Sequence, residues 1–177
     1  MVRIYVVRCG SDDPRRSTAL KLVRKGLALK VPLSEAPRCG VLLTVFSERV
    51  LSPGDRDLVE RCGVIVVDSS WKRDMEIIER LSRSWRGPRR ILPALIAGNP
   101  TNYGRVSMLS SAEAIAAALY ITGFVEESQR VLSQFKWGRV FLELNKDLLE
   151  AYRRAPSVDE VLNIQAAFLR SRDTEQP

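Results

Sequence analysis

Three short apolar runs rich in β-branched residues, Ile4 to Val7, Val41 to Val45 and Val64 to Val67, constrain this chain more than any other feature. Continuous apolar runs, as opposed to alternation, describe strands buried on both faces, and such strands belong to parallel sheets covered by helices. The intervals carry helix signals. Ser52-Pro53 offers a cap followed by a proline at the first helical position, and that segment runs to Arg61 before Gly63 stops it. Past the third run, Met75, Ile78 and Leu81 recur at three-residue spacing on one helical face. The amino-terminal half reads as α/β with a largely parallel sheet.

The pattern changes after Leu92. Ser110 with Glu113 makes a capping box, and Ile115, Ala118, Leu119 and Thr122 mark one face of a helix that Gly123 ends. Further helices are expected near Glu126 to Phe135, near Phe141 to Arg154, and from Val158 to Arg170, the last opened by a Ser157/Glu160 capping box. The expected organisation is an α/β domain over 1–92 and an all-helical domain over 93–177, with Asp173 to Pro177 as a frayed tail. At 177 residues and 45% hydrophobic, the chain can bury a core without staples.

Composition excludes several chemistries. There is no histidine, which removes the usual general base, the usual zinc ligand and every Ser-His or Cys-His nucleophile pair. Cys9, Cys39 and Cys62 are odd in number and widely spaced, so reduced thiols and no metal are expected. No Gly-rich phosphate loop followed by Lys and Ser/Thr occurs, which sets aside a nucleotide hydrolase. Apolar stretches break well short of the ~20 residues of a membrane span, and Met1 leads directly into a strand. The expectation is a cytoplasmic chain with no membrane partner.

Charge is one-sided. Up to Leu92, 19 Lys/Arg stand against 11 Asp/Glu, and beyond it 9 against 10, so the net +7 divides into +8 and −1. A basic half suits a polyanion through counterion release from phosphates, although a solvated basic face has the same composition. Two groups stand out: Arg15, Arg16, Lys21, Arg24 and Lys25; and Arg83, Arg86, Arg89 and Arg90 around Trp85.

Two segments have the make-up of a binding site. Asp68-Ser69-Ser70-Trp71 follows the third strand, at the carboxyl end where open α/β sheets bind ligands. Arg90 to Gly104 mixes apolar residues with two Pro, two Gly and two Asn. Such a loop can turn backbone groups toward a planar ligand, and an interdomain linker would look alike. On residues alone, Asp68 reads more readily as an amino-terminal helix cap than as a catalytic carboxyl, and Trp71 more readily as core than as a cofactor contact.

Taken with Leu92-Pro93, Asn99-Pro100-Thr101-Asn102-Tyr103-Gly104, Leu109-Ser110, Glu113-Ala114 and Phe135-Lys136-Trp137-Gly138, the Asp68 to Trp71 tetrad resembles the small-subunit ribosomal RNA aminocarboxypropyltransferase family. The blocks occur in the right order across nearly the whole chain. The resemblance implies a SPOUT-like fold, in which a parallel α/β amino-terminal domain is joined to a helical carboxyl-terminal domain by a deep trefoil knot. It implies S-adenosylmethionine in the cleft, no metal, and transfer of the 3-amino-3-carboxypropyl group to N3 of pseudouridine or N1-methylpseudouridine, releasing 5′-methylthioadenosine.

Carried over by position, Thr18 and Ser111 hold the methionine carboxylate. The segment containing Val66, Ser69 and Trp71 lines the ribose and methyl group, and Leu92 and Ser107 offer backbone contacts to adenine. Asp68 becomes a candidate to accept the imide proton of the acceptor base or to face the sulfonium. Ser69 and Ser107 depart from the family's usual Cys and Tyr, which matters only for side-chain contacts. Arg15, Arg16, Lys21, Arg24, Lys25, Arg86, Arg89 and Arg90 become contacts for small-subunit ribosomal RNA or a pre-ribosomal particle, engaged by a monomer in ribosome biogenesis. Two alternatives remain: an RNA methyltransferase using the same cofactor, distinguished by which carbon leaves sulfur, and a non-catalytic RNA-binding ribosome-assembly protein, distinguished by failure to bind S-adenosylmethionine.

Overall fold

A computed structural model of the chain describes residues 1–10, 12–70 and 72–175. In chain order its elements are β1 (Ile4–Arg8), α1 (Thr18–Arg24), β2 (Leu29–Lys30), β3 (Val41–Leu43), α2 (Arg56–Cys62), β4 (Val64–Asp68), α3 (Met75–Ser84), β5 (Arg89–Arg90), α4 (Ser111–Ile121), α5 (Val125–Leu132), α6 (Gly138–Arg154) and α7 (Val158–Thr174). The strands form one sheet, every pairing parallel, in the order β2-β1-β4-β3-β5. The three apolar runs become its three central strands. β2 and β5 are two residues each, Leu-Lys and Arg-Arg, and join through backbone pairing without any apolar pattern to announce them.

Alternate residues of β1 serve different cores, as the two-residue strand period requires. Ile4 and Val6 face the larger core with Val64, Val66, Leu22 and Val59, whereas Tyr5 and Val7 face a smaller one with Leu42, Ile65 and Trp85. The larger core continues without interruption through Ile115, Leu119, Phe141, Leu149 and Tyr152, so the helices beyond residue 93 pack onto the sheet's own hydrophobic layer. α4 lies in the middle, against β4, α1, α5 and α6. Nearly every residue of it from Ala112 to Ile121 is buried, which is why its sequence is apolar on all sides. The Ser110/Glu113 capping box that opens it is present in both directions.

Two expectations are corrected here. The SPOUT-like arrangement with a deep trefoil knot is withdrawn: the described residues form an α/β fold with one five-stranded parallel sheet and seven α-helices. The apolar runs specify parallel strands and intervening helices, and nothing in their periodicity extends to chain threading. The expectation of reduced thiols fails for Cys39 and Cys62, which form a disulfide with Cα atoms 5.5 Å apart, leaving Cys9 free. Their separation of 23 residues carries no signal. Parallel pairing of β3 with β4, where the Val41 amide donates to the Gly63 carbonyl at 3.1 Å, brings the turn before β3 beside the end of α2. Closing a loop of that size is worth roughly 3 kcal/mol in the chain-entropy picture. Among the described residues no helix is long and apolar enough to cross a membrane.

Candidate functional site

A cavity of about 490 Å³ opens at the carboxyl ends of the strands. Its walls are Leu43, Thr44 and Val45 at the end of β3, Lys72 and Met75 at the start of α3, and Ile91, Leu92 and Pro93 after β5. Asn102, Ser107, Met108 and Leu109 from the following loop and Ala114 of α4 complete it. A largely apolar cleft of this size at a strand-end position suits a nucleoside-sized ligand.

The loop from Pro93 to Ser110 shapes this cavity, and it is held in an unusual way. Its buried backbone groups need partners, and side chains supply many of them beside backbone pairs such as Ala97 with Arg105 and with Gly104. Tyr152 donates its hydroxyl to the Ala94 carbonyl at 2.9 Å, and Gln165 accepts the Ala94 amide at 2.8 Å. The Asn145 amide embraces Ile96, accepting its N–H at 2.7 Å and donating to its carbonyl at 2.8 Å. Glu113, wholly buried, accepts the amides of Gly98, Asn99 and Ser110 and the side-chain amide of Asn99, all at 2.7 to 3.0 Å. Burial pushes the Tyr152 phenol well above its usual range, so it stays a donor. Ser107 takes a left-handed backbone, φ 59°, with its amide donating to the Leu95 carbonyl at 2.8 Å. For a residue with a side chain this conformation costs about 1–2 kcal/mol and is held only by its surroundings.

The structure brings some of the expected residues together. Leu92 and Ser107 line the cavity from opposite ends of the shaped loop. Thr18 and Ser111 meet at the amino terminus of α4, where the Thr18 hydroxyl accepts the Ala112 amide at 3.1 Å. Val66 is buried in β4, and Ser69 donates its hydroxyl to Asp74 at 2.6 Å. Trp71 lies outside the described residues. Asp68 is 8% exposed and uses one oxygen, Oδ2, to accept from Arg8 and from Ser17, both at 2.8 Å. It therefore fastens the ends of β1 and β4 to the cap of α1, one residue before Thr18. The amino-terminal cap position of α3 belongs to Asp74.

The basic residues divide. Arg15, Arg16, Arg24, Lys25 and Arg86 are exposed, Arg15 in an ion pair with Asp13 whose carboxyl it lowers. Lys21 lays its ammonium 4.8 Å from the centre of the Phe135 ring, and half-buried Arg89 donates to the Ser82 carbonyl. Arg90 is a correction: it is 7% exposed, with its guanidinium on Asp55 at 2.9 Å. On the short strand β5 it points inward, so it secures the sheet edge and presents nothing to a phosphate. Among the described residues no group of three His, Cys, Asp or Glu is arranged to hold a metal.

Sequence reading missed Asn145, Tyr152 and Gln165. One signal was present: Asn145 interrupts the buried stripe Phe141, Leu149, Tyr152 on α6, and a polar residue in an apolar stripe demands a buried partner.

Comparison with known proteins agrees with this architecture. Residues 41–169 match the family described as "Ribosome biogenesis protein, C-terminal". The 16S rRNA aminocarboxypropyltransferase of Methanothermobacter thermautotrophicus is 43% identical, over 95% of this chain and 99% of its own. That of Methanopyrus kandleri is 46% identical, over 94% and 98%. The solved structure of the SAM-dependent rRNA:acp-transferase Tsr3 from Vulcanisaeta distributa superposes with a TM-score of 0.83 at 38% identity, covering 96% of this chain and 97% of that one. The chain shares the fold of that transferase, which replaces the expected SPOUT-like knotted arrangement. The chain belongs to the 16S rRNA aminocarboxypropyltransferase family.

Proposed function

We infer that this chain transfers the 3-amino-3-carboxypropyl group of S-adenosylmethionine to a base of small-subunit ribosomal RNA. The observation that carries the reading is the cavity: the two positions expected to meet adenine, Leu92 and Ser107, line one apolar cleft at the strand ends. Apolar walls from Leu43, Ile91 and Leu109 suit a purine face, and backbone groups near Leu92 and Ser107 suit its edge. Thr18 and Ser111, together at the amino terminus of α4, suit the methionine carboxylate. Bound there, the donor supplies an activated sulfonium whose γ-carbon bond breaks with its electron pair left on sulfur, giving 5′-methylthioadenosine. The protein's share is orientation: exposing the γ-carbon and shielding the methyl decides the product.

The acceptor is read as N3 of pseudouridine or N1-methylpseudouridine, which loses its proton as the new nitrogen–carbon bond forms. Asp68 is the candidate to take that proton or to face the sulfonium, within its contacts to Arg8 and Ser17. The basic residues 15–25 and Arg86 and Arg89 are proposed as phosphate contacts on ribosomal RNA or a pre-ribosomal particle. The division at Leu92 is then functional, a basic RNA-facing part over 1–92 and a helical part over 93–177. A monomer acting in the cytoplasm completes the reading.

The test is incubation with matched small-subunit RNA and S-adenosylmethionine labelled either in the carboxyl carbon or in the methyl group. Carboxyl label alone is expected in the RNA. Methyl label in its place would make the chain a methyltransferase, and binding of RNA with no affinity for the donor would make it an assembly factor.

A further inference from the structure

The turn Phe135-Lys136-Trp137-Gly138 between α5 and α6 lies outside the cavity, yet it is built with unusual care. A Cβ at Gly138 would collide with the Leu132 carbonyl, so the turn closes only with glycine there. Phe135 and Trp137 stack with ring centres 4.9 Å apart and planes tilted by 31°. Phe135 is buried, Trp137 is half-buried, and Lys136 and Arg139 on either side are exposed, Arg139 in a solvent-facing ion pair with Glu143 at 2.8 Å that a phosphate would replace. The buried ring also carries the Lys21 ammonium at 4.8 Å from its centre. This contact joins the turn to the basic face of α1, where Lys25 lies one helical turn further on.

A surface thus forms from both halves of the chain. Lys21 and Lys25 come from the strongly basic half, and Lys136 and Arg139 from the half whose overall charge is slightly negative. Two cations of the second half flank an indole that is anchored from beneath by another ring and left partly open. Lys21 follows Thr18 by three residues, about 4.5 Å along the helix. The surface therefore begins beside the amino terminus of α4, where Thr18 caps the Ala112 amide.

We propose that Lys136, Trp137 and Arg139 extend the RNA contacts of Lys21 and Lys25 into the helical half and hold an unpaired segment flanking the acceptor, with one base stacked on Trp137. Cations spaced around a fixed aromatic are the combination that single-stranded RNA recognition uses, phosphates holding the strand and the ring accepting any base face. An acidic protein segment would be served by the lysines but has no use for a propped, half-open indole. The proposal rests on the RNA-modifying reading above, and its test fails separately from it.

Equilibrium binding of the full chain to a labelled small-subunit RNA fragment, with single-stranded flanks and across a salt series, reads the surface directly. Lys136→Glu with Arg139→Glu is expected to weaken binding about tenfold or more and to lower the slope of log affinity against log salt by about 1.4, two single-strand phosphates. Trp137→Leu is expected to weaken binding roughly 5- to 100-fold with the slope little changed. The control pair Lys146→Glu with Arg170→Glu, of equal charge change on α6 and α7, leaves both quantities as they were. Donor binding by calorimetry certifies the fold of each variant, and the exposed charge pair carries the test if Trp137→Leu does not fold. Wild-type RNA affinity and slope in the Lys136/Arg139 variant would overturn the proposal, as would competition by polyglutamate as effective as by RNA. Wild-type protein that binds RNA but transfers no group would strike down the proposed reaction and leave this surface standing.

Discussion

The sheet and the loop beside it solve one problem in two ways. In β1, β3 and β4 each buried backbone group pairs with backbone of the neighbouring strand. Between Pro93 and Ser110 such groups pair partly within the loop, as Ala97 does with Gly104 and Arg105, and partly with the side chains of Tyr152, Gln165, Asn145 and Glu113, contributed by α4, α6 and α7. Strand pairing is generic and survives most side-chain changes, whereas a side-chain cradle is specific and fails one residue at a time. The cavity is lined from both regions, so stability and ligand affinity should separate according to which region is disturbed.

The largest effect is expected from Glu113→Ala. Four donors lose their acceptor, and at about 1–3 kcal/mol for each buried group left unsatisfied the loss of stability should exceed about 4 kcal/mol. Denaturant unfolding checks this, and donor titration should show no binding; wild-type affinity in the variant would erase the contrast between the regions. Ile65→Ala disturbs the sheet side alone, since Ile65 is wholly buried in the smaller core. It should cost about 2–5 kcal/mol and leave the affinity of the folded protein for S-adenosylmethionine intact. A fall in affinity there would mean that the cavity feels any loss of stability.

A smaller effect sharpens the comparison through pH. Tyr120 of α4 donates to Glu150 of α6 at 2.6 Å. The Arg153 hydrogen bond first, and Tyr120 next, hold Glu150 down to about 2. Burial first, and Glu150 next, push Tyr120 up to about 12. The contribution of Glu150 is complete above its ordinary value near 4.5 and fades as pH falls toward 2, while that of Tyr120 is complete below 10 and fades as pH rises through 12. Tyr120→Phe should therefore cost about 1 kcal/mol at neutral pH and flatten the alkaline limb of melting temperature against pH. An alkaline limb identical to wild type would remove Tyr120 from the helix-to-helix tie. The smallest effect is Ser107→Gly, which relieves the left-handed backbone and should stabilise by up to about 1 kcal/mol. Donor affinity should stay unchanged if only the Ser107 backbone meets adenine; loss of affinity would assign the contact to the hydroxyl.

The same contrast sets what could be read from the sequence. β1, β3 and β4 were legible because two-sided burial writes a continuous apolar run, and α4 because Ser110 and Glu113 write a capping box. β2 and β5 were not, since two residues joined by backbone carry no pattern. The Cys39–Cys62 bond was hidden for a related reason, being a product of strand order and not of spacing. At the site, Leu92 and Ser107 were named from resemblance and do line the cavity. Arg90 was misassigned because a run of arginines gives no hint of which one turns inward to Asp55. Glu113 was recognised as half of a helix cap, but its hold on Gly98 and Asn99 depends on where a distant loop passes, which no local pattern records.

Asn145→Ala tests the central claim most directly, because beyond a bond to the Phe141 carbonyl of its own helix the Asn145 side chain grips only Ile96, and it forms no wall of the cavity. The measurement is the dissociation constant for S-adenosylmethionine, beside the unfolding curve. The expected result is a cooperatively folded protein whose affinity has fallen by about tenfold or more, about 1.4 kcal/mol. Wild-type affinity in that variant would contradict a cavity shaped by side chains that hold its loop.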